Sequence, residues 1–158
     1  AMTGTHTFNL VNGTNDIKTH ALNDKDYVVA LWANSNATPA AEIINPGSTD
    51  PVTLTLQNIV GSWKLYTAII SPESTGVFRL YNPSSGTQMD IDEIRLHPTE
   101  ASFESYTYAP LCGITSMSNN RNYITYTEYD NFGRLIISRD MRGNILSKLE
   151  QFAQDNDN

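Results

Sequence analysis

The chain is poor in the residue types that most often carry chemistry. It has a single cysteine, Cys112, and three histidines, and only 17% of its 158 residues are charged. A lone cysteine cannot form an internal disulfide, and it leaves the redox compartment open. We read Cys112, in Ala109-Pro110-Leu111-Cys112, as a small apolar filler. His6, His20 and His97 lie far apart and lack the H-x-H or H-x3-H spacing of a transition-metal site. There is no G-x-S-x-G elbow, no P-loop and no dinucleotide-binding glycine pattern. Basic residues are scarce: residues 1–100 hold five Lys/Arg among ten Asp/Glu, and the net charge is −7. No basic stripe exists to neutralise a run of phosphates, so no nucleic-acid partner is expected. No stretch is apolar for long enough to span a bilayer, and none has a signal-peptide pattern, so no membrane insertion is expected. The opening Ala1-Met2 and the early start of a strand lead us to expect a piece of a longer polypeptide.

What the chain does have is Thr, Ser and Asn interspersed with Tyr, Val and Ile, a mixture that favours strands and turns. Residues 5–98 read as seven or eight short strands separated by turn signals. Asn12-Gly13 is a strong two-residue hairpin signal after Thr5–Val11. The stretch from Val52 to Ile59 reads as one strand, with Val52, Leu54 and Leu56 on one face and Thr53 and Thr55 on the other. Asn45-Pro46-Gly47 punctuates the section before it. Nothing shows helical periodicity over a useful length. This pattern predicts an all-β chain whose first hundred residues form an antiparallel β-sandwich.

After Pro98 a polar connector leads into a weak internal repeat. Tyr108 is followed by Gly113 and Tyr129 by Gly133, with the tyrosines 21 residues apart. Seven residues beyond the glycines stand Asn120 and Asp140 as turn candidates. The second copy is the better formed. There Asp130 caps a turn that Gly133 permits, Leu135 and Ile137 continue a strand, and Arg142-Gly143-Asn144 makes the return. We place the sandwich at residues 3–100, two repeats at 101–152 and a polar tail at 153–158.

The second copy, Tyr129-Asp130-x-x-Gly133-Arg134-Leu135 with Asp140-x-x-Gly143-Asn144, resembles the YD repeat of the Rhs family. The first copy departs from it, with Ala109 in the aspartate position. Rhs proteins are large bacterial cell-surface or secreted polypeptides whose repeats wind into a β-sheet shell. A shell needs many stacked units, so the resemblance implies the end of a longer array. The first hundred residues are similar to carbohydrate-binding modules of the galactose-binding-like jelly-roll type, on Trp32, Trp63, Tyr66, Asp92, Ile94 and Leu96. The pairing of the two, with the Arg95–Ala101 exit between them, looks like surface Rhs-type proteins of the Bacteroidetes. It implies a secreted or cell-surface location.

Trp32 and Trp63 invite a sugar-stacking reading, since an aromatic face complements a pyranose. Strand alternation instead puts Trp63 with Leu65 and Ile69, and Trp32 with Val28 and Ala30, as core faces. Trp32 is kept as a candidate ligand contact. Lys64 and Tyr66 alternate with that core face, as Arg79 and Tyr81 do on a later strand. If the two faces coincide, these four residues form an exposed aromatic and hydrogen-bonding platform; otherwise they are an ordinary solvated sheet face. Asp90 and Asp92 crowd the closing strand. The resemblance implies a structural calcium near this point, the one cofactor it suggests. The alternative is that Asp92 accepts hydrogen bonds from backbone at a bulge.

Carboxylates are frequent in such chains, but short loops leave little room for a deep catalytic cleft, and no enzyme is expected. The expected function is non-catalytic recognition of a glycan or other cell-surface polymer within a large Rhs-like polypeptide. The alternative is a structural spacer or plug of the repeat shell with no small ligand.

Overall fold

A computed structural model describes residues 1–149; the tail expected at 153–158 and the last residues of the second repeat lie outside them. The described chain is all-β, with antiparallel pairing throughout and no helix. It divides into two compact units, the first ending at Ser102 and the second starting at Phe103.

The first unit holds nine strands: β1 (Phe8–Leu10), β2 (Ile17–Lys18), β3 (Tyr27–Asn34), β4 (Ala40–Asn45), β5 (Ser48–Val52), β6 (Thr55–Val60), β7 (Trp63–Ile70), β8 (Val77–Tyr81) and β9 (Met89–Pro98). They form a five-stranded sheet in the order β1-β9-β3-β7-β6 and a four-stranded sheet in the order β2-β8-β4-β5. One core joins them. Leu10, Val29, Leu31, Tyr66 and Ile91 of the larger sheet cluster with Ala41, Ile43, Phe78 and Leu80 of the smaller. The arrangement is sandwich-like, as the alternating strands predict.

Three local expectations fail, each for a non-local reason. Asn12-Gly13 does turn the chain, with Thr14 N–H donating to the Val11 carbonyl. It closes no hairpin, however, because β1 pairs with β9 and β2 pairs with β8, in different sheets. The Val52–Ile59 run is two strands, since the chain leaves the smaller sheet after Val52 and enters the larger one at Thr55. Val52 and Leu54 still pack on the core, but Leu56 is exposed. In β7 the two faces are exchanged relative to expectation. Tyr66 points into the sandwich and is 5% exposed, while Ile69, on the face with Trp63 and Leu65, is 71% exposed. The Asn45–Ser48 turn, by contrast, does close the β4–β5 hairpin, with Gly47 at φ 91° after Pro46.

The second unit is a five-stranded meander of β10 (Ser105–Ala109), β11 (Gly113–Ser118), β12 (Ile124–Tyr129), β13 (Leu135–Asp140) and β14 (Ile145–Lys148), each strand paired with the next. Two of its hairpins repeat one register. Thr107 opposes Ser116 and Tyr108 opposes Ile114, with a bulge between; 21 residues on, Glu128 opposes Ile137 and Tyr129 opposes Leu135, with a bulge at the same step. The turns repeat at a shorter period. Asp130 Oδ1 accepts the N–H groups of Phe132 and Arg134, and Asp140 Oδ1 those of Arg142 and Asn144. Asn119 does the same for Arg121 and Tyr123, in a turn that includes the expected Asn120. The position that glycine fills at 133 and 143 is taken there by Asn122, at φ 60°. Asparagine is one of the few other residues that enters this region readily.

Candidate functional site

The expected platform of Lys64, Tyr66, Arg79 and Tyr81 is not one surface. β7 belongs to the larger sheet and β8 to the smaller, and Tyr66 is buried between them. Arg79 and Tyr81 face away from the core, because Phe78 and Leu80 take the inner positions of β8. Arg79 is held by internal partners: its guanidinium lies 2.7 Å from both Asp16 and Glu42 and 4.6 Å over the Tyr81 ring. The hydrogen bonds to Glu42 and then Asp16 raise its pKa above the ordinary value. These residues form an ion cluster in which the one guanidinium is already engaged by two carboxylates.

Trp32 is fully buried on the face of β3 that looks away from the sandwich core, across from Leu65 and Asp92. Its indole N–H makes no hydrogen bond. With no exposed face it offers nothing for a sugar to stack on.

Asp92 sits where the pairing of β3 and β9 slips, next to Glu93 at φ 49°. Its Oδ2 accepts the backbone N–H groups of Met2 at 2.6 Å and Thr3 at 2.9 Å, and its Oδ1 that of Glu93 at 2.8 Å. N–H donors therefore occupy the oxygens that a cation would need, which is the bulge role weighed as the alternative. Asp90 Oδ1 accepts from the Asn9 amide at 2.8 Å and from Gln88 at 3.3 Å. Among the described residues no group of three or more His, Cys, Asp or Glu side chains converges as a metal site.

Lys64 and Asp90 nevertheless meet, at one end of the sandwich. There the ends of β3, β7 and β9 and the loops beside them enclose an open cleft of about 620 Å³. Asn34, Ser35, Asn36, Ser62, Thr87 and Gln88 complete its polar lining. The Lys64 ammonium donates to the Ser35 carbonyl at 3.0 Å, which ties the β3–β4 loop to β7. Gly61 and Gly86 turn the other two loops at φ 59° and 73°, and a Cβ on either would meet nothing within 4 Å. They leave bare backbone at the wall, where a ligand can approach closely.

The register carries the polar character across the sheet. Asn9 opposes Asp90, Asp90 opposes Asn34 and Asn34 opposes Trp63, so these four share one face at the same level of β1, β9, β3 and β7. Trp63 is half-buried. The cleft thus offers amide donors and acceptors, three hydroxyls, one ammonium and one carboxylate, near an aromatic ring at the end of the row.

Asn34, Asn36, Ser62 and Gln88 are the site residues that strand alternation misses. Their signal is the amide- and hydroxyl-rich composition where strands end, at Asn34-Ser35-Asn36 and Ser84-Ser85-Gly86-Thr87-Gln88. Compared with known proteins, the chain matches no protein-family model and no curated protein.

Proposed function

We propose that the first unit is a non-catalytic recognition module for a neutral glycan or similar polyhydroxylated surface polymer, bound at the Asn34–Lys64–Gln88–Asp90 cleft. The observation that carries this reading is the balance of the lining. Amides, hydroxyls and one charge of each sign supply donors and acceptors together, which is what hydroxyl-bearing ligands require. Its volume lies in the range of small-ligand sites. Among the described residues Asp90 is the only carboxylate in the lining, whereas glycoside hydrolysis ordinarily uses two, so recognition fits better than cleavage. The repeating turns and 21-residue register of the second unit support its assignment to a YD-type array, and hence the chain to a secreted or cell-surface Rhs-like polypeptide. A jelly-roll connection of the first unit belongs to the same reading.

The test is a calorimetric titration of the protein against a panel of soluble neutral polysaccharides, with and without calcium. Saturable binding is expected, weakened about tenfold by Asn34→Ala through loss of paired hydrogen bonds. A correctly folded protein that binds nothing in the panel would overturn the recognition reading and favour a structural spacer.

A further inference from the structure

The cleft does not stand alone. A second, of about 460 Å³, lies on the other side of the β8–β9 loop and is lined by Asn9, Asn12 and Ser85. Gly86, Thr87 and Gln88 line both clefts, so the loop is a low divide and not an outer wall. Beneath it the polar row is unbroken. Asn9 of the second cleft donates to Asp90 of the first, and Gln88 donates to the same carboxylate oxygen from the divide. From β1 to β3 its polar members Asn9, Asp90 and Asn34 cross two strand spacings, a span of about 10 Å, which is longer than one sugar ring.

We infer that the ligand is an internal run of a linear neutral glycan, laid across the strand ends over the Gly86–Gln88 divide, and not a single terminal sugar. This rests on the recognition reading above and specifies the class of ligand. Both clefts are shallow and open, so neither would enclose a lone ring, and adjacent weak sites gain affinity by being filled from one chain. The side chains nearest the divide are already bonded to one another through Asp90 and cost little further ordering when the polymer binds.

The experiment uses oligomers of one to six sugars, prepared by hydrolysis and size fractionation from whichever polysaccharide binds in the panel. Affinity is expected to rise about tenfold or more from one sugar to four and then level off. Ser85→Trp places a bulky ring in the second cleft from an exposed loop position without touching the first. It is expected to abolish the gain with length and leave the single sugar unaffected. Asn9→Ala is expected to act in the same direction. A single sugar bound as tightly as the tetramer, or a length gain that survives Ser85→Trp, would overturn the groove and leave recognition standing. No binding by any polysaccharide would overturn both.

Discussion

The two units solve the same problem in opposite ways. The first buries a continuous apolar core between two sheets, with Val29, Leu31, Phe78, Leu80 and Ile91 all essentially inaccessible. The second, among the described residues, buries only Ser116, Ser118, Asn122 and Ile124, and just one of these is apolar. Its order comes instead from turns that repeat one hydrogen-bond pattern and from cross-strand contacts such as Tyr129 on β11. Where a core exists, long-range packing can override local signals, as it does at Asn12-Gly13. Where packing is thin, the local signals must be right, and they recur almost residue for residue. The comparison predicts that substitutions act through volume in the first unit and through backbone geometry in the second.

The largest effect is expected from Phe78→Ala, which removes a ring that is 1% exposed at the centre of the sandwich. Emptying such a site costs about 3–5 kcal/mol, a large part of the ~5–15 kcal/mol that holds a domain together. Both tryptophans, Trp32 and Trp63, lie in the first unit, so their fluorescence during urea unfolding reports on it alone. The midpoint should fall sharply. Phe132→Ala, which removes a ring of the same size from an 84% exposed turn of the second unit, should leave that unit's stability, read from amide exchange in β12 and β13, almost unchanged. Equal losses for the two would break the comparison.

In the second unit the telling substitution is Gly113→Ala. Gly113 has φ 129°, and a Cβ there would stand 3.0 Å from the Tyr129 hydroxyl oxygen, which itself donates to the Ile114 carbonyl at 2.8 Å. Backbone strain and the displaced tyrosine together should cost about 1–3 kcal/mol. The loss should be visible as faster amide exchange in β11 and β12. Gly143→Ala sharpens the point, because φ is 87° but no atom lies within 4 Å of its Cβ. It should cost only the strain, about 1 kcal/mol. If both variants lose the same protection, the Tyr129 contact adds nothing.

The sequence makes the second unit easier to read than the first, and the reason is range. A turn such as Asp130-x-x-Gly133-Arg134 is specified by five consecutive residues, so its caps and its bend are visible in the string. The turn at Asn120 is legible as well, but its cap, Asn119, is hidden because Asn122 stands in the glycine position. In the sandwich, strand class follows from the alternation of Val, Ile, Thr and Tyr, but partnership does not. β1 finds β9 some eighty residues away, and no local pattern says which face of β7 will be the inner one. Leu65 and Tyr66 are in fact both buried, which removes the contrast that alternation relies on. The ligand-site expectation inherits that error. Tyr66 is drawn into the core, Trp32 is buried on the other face of its strand, Arg79 and Tyr81 fall on the opposite sheet, and Asp92 serves the backbone. Only Lys64 and Asp90 reach the cleft, because they lie at strand ends, where side chains project past both layers.

The smallest effect separates the turns themselves by pH. In the folded chain, the backbone hydrogen bond from Arg134 is foremost in holding the Asp130 carboxyl below its ordinary pKa, and the Asn144 side chain does the same for Asp140. A depressed folded pKa means that the carboxylate's stabilising contribution is complete above the unfolded value and disappears as pH falls through the folded one. The turns at Asp130 and Asp140 should therefore weaken only in acid, below the usual aspartate range. The Asn119 turn makes the same two N–H contacts through an amide that does not titrate. Amide chemical shifts followed by NMR from neutral pH downward should show Phe132, Arg134, Arg142 and Asn144 moving together at a low midpoint, with Arg121 and Tyr123 still. Asp130→Asn should silence Phe132 and Arg134 while preserving the turn, since the amide oxygen can still accept both N–H groups. Titration of Arg121 in step with the others, or a midpoint at the ordinary aspartate value, would mean that the Oδ1 brackets do not hold these hairpins in solution. The second unit would then need a source of order beyond its own turns.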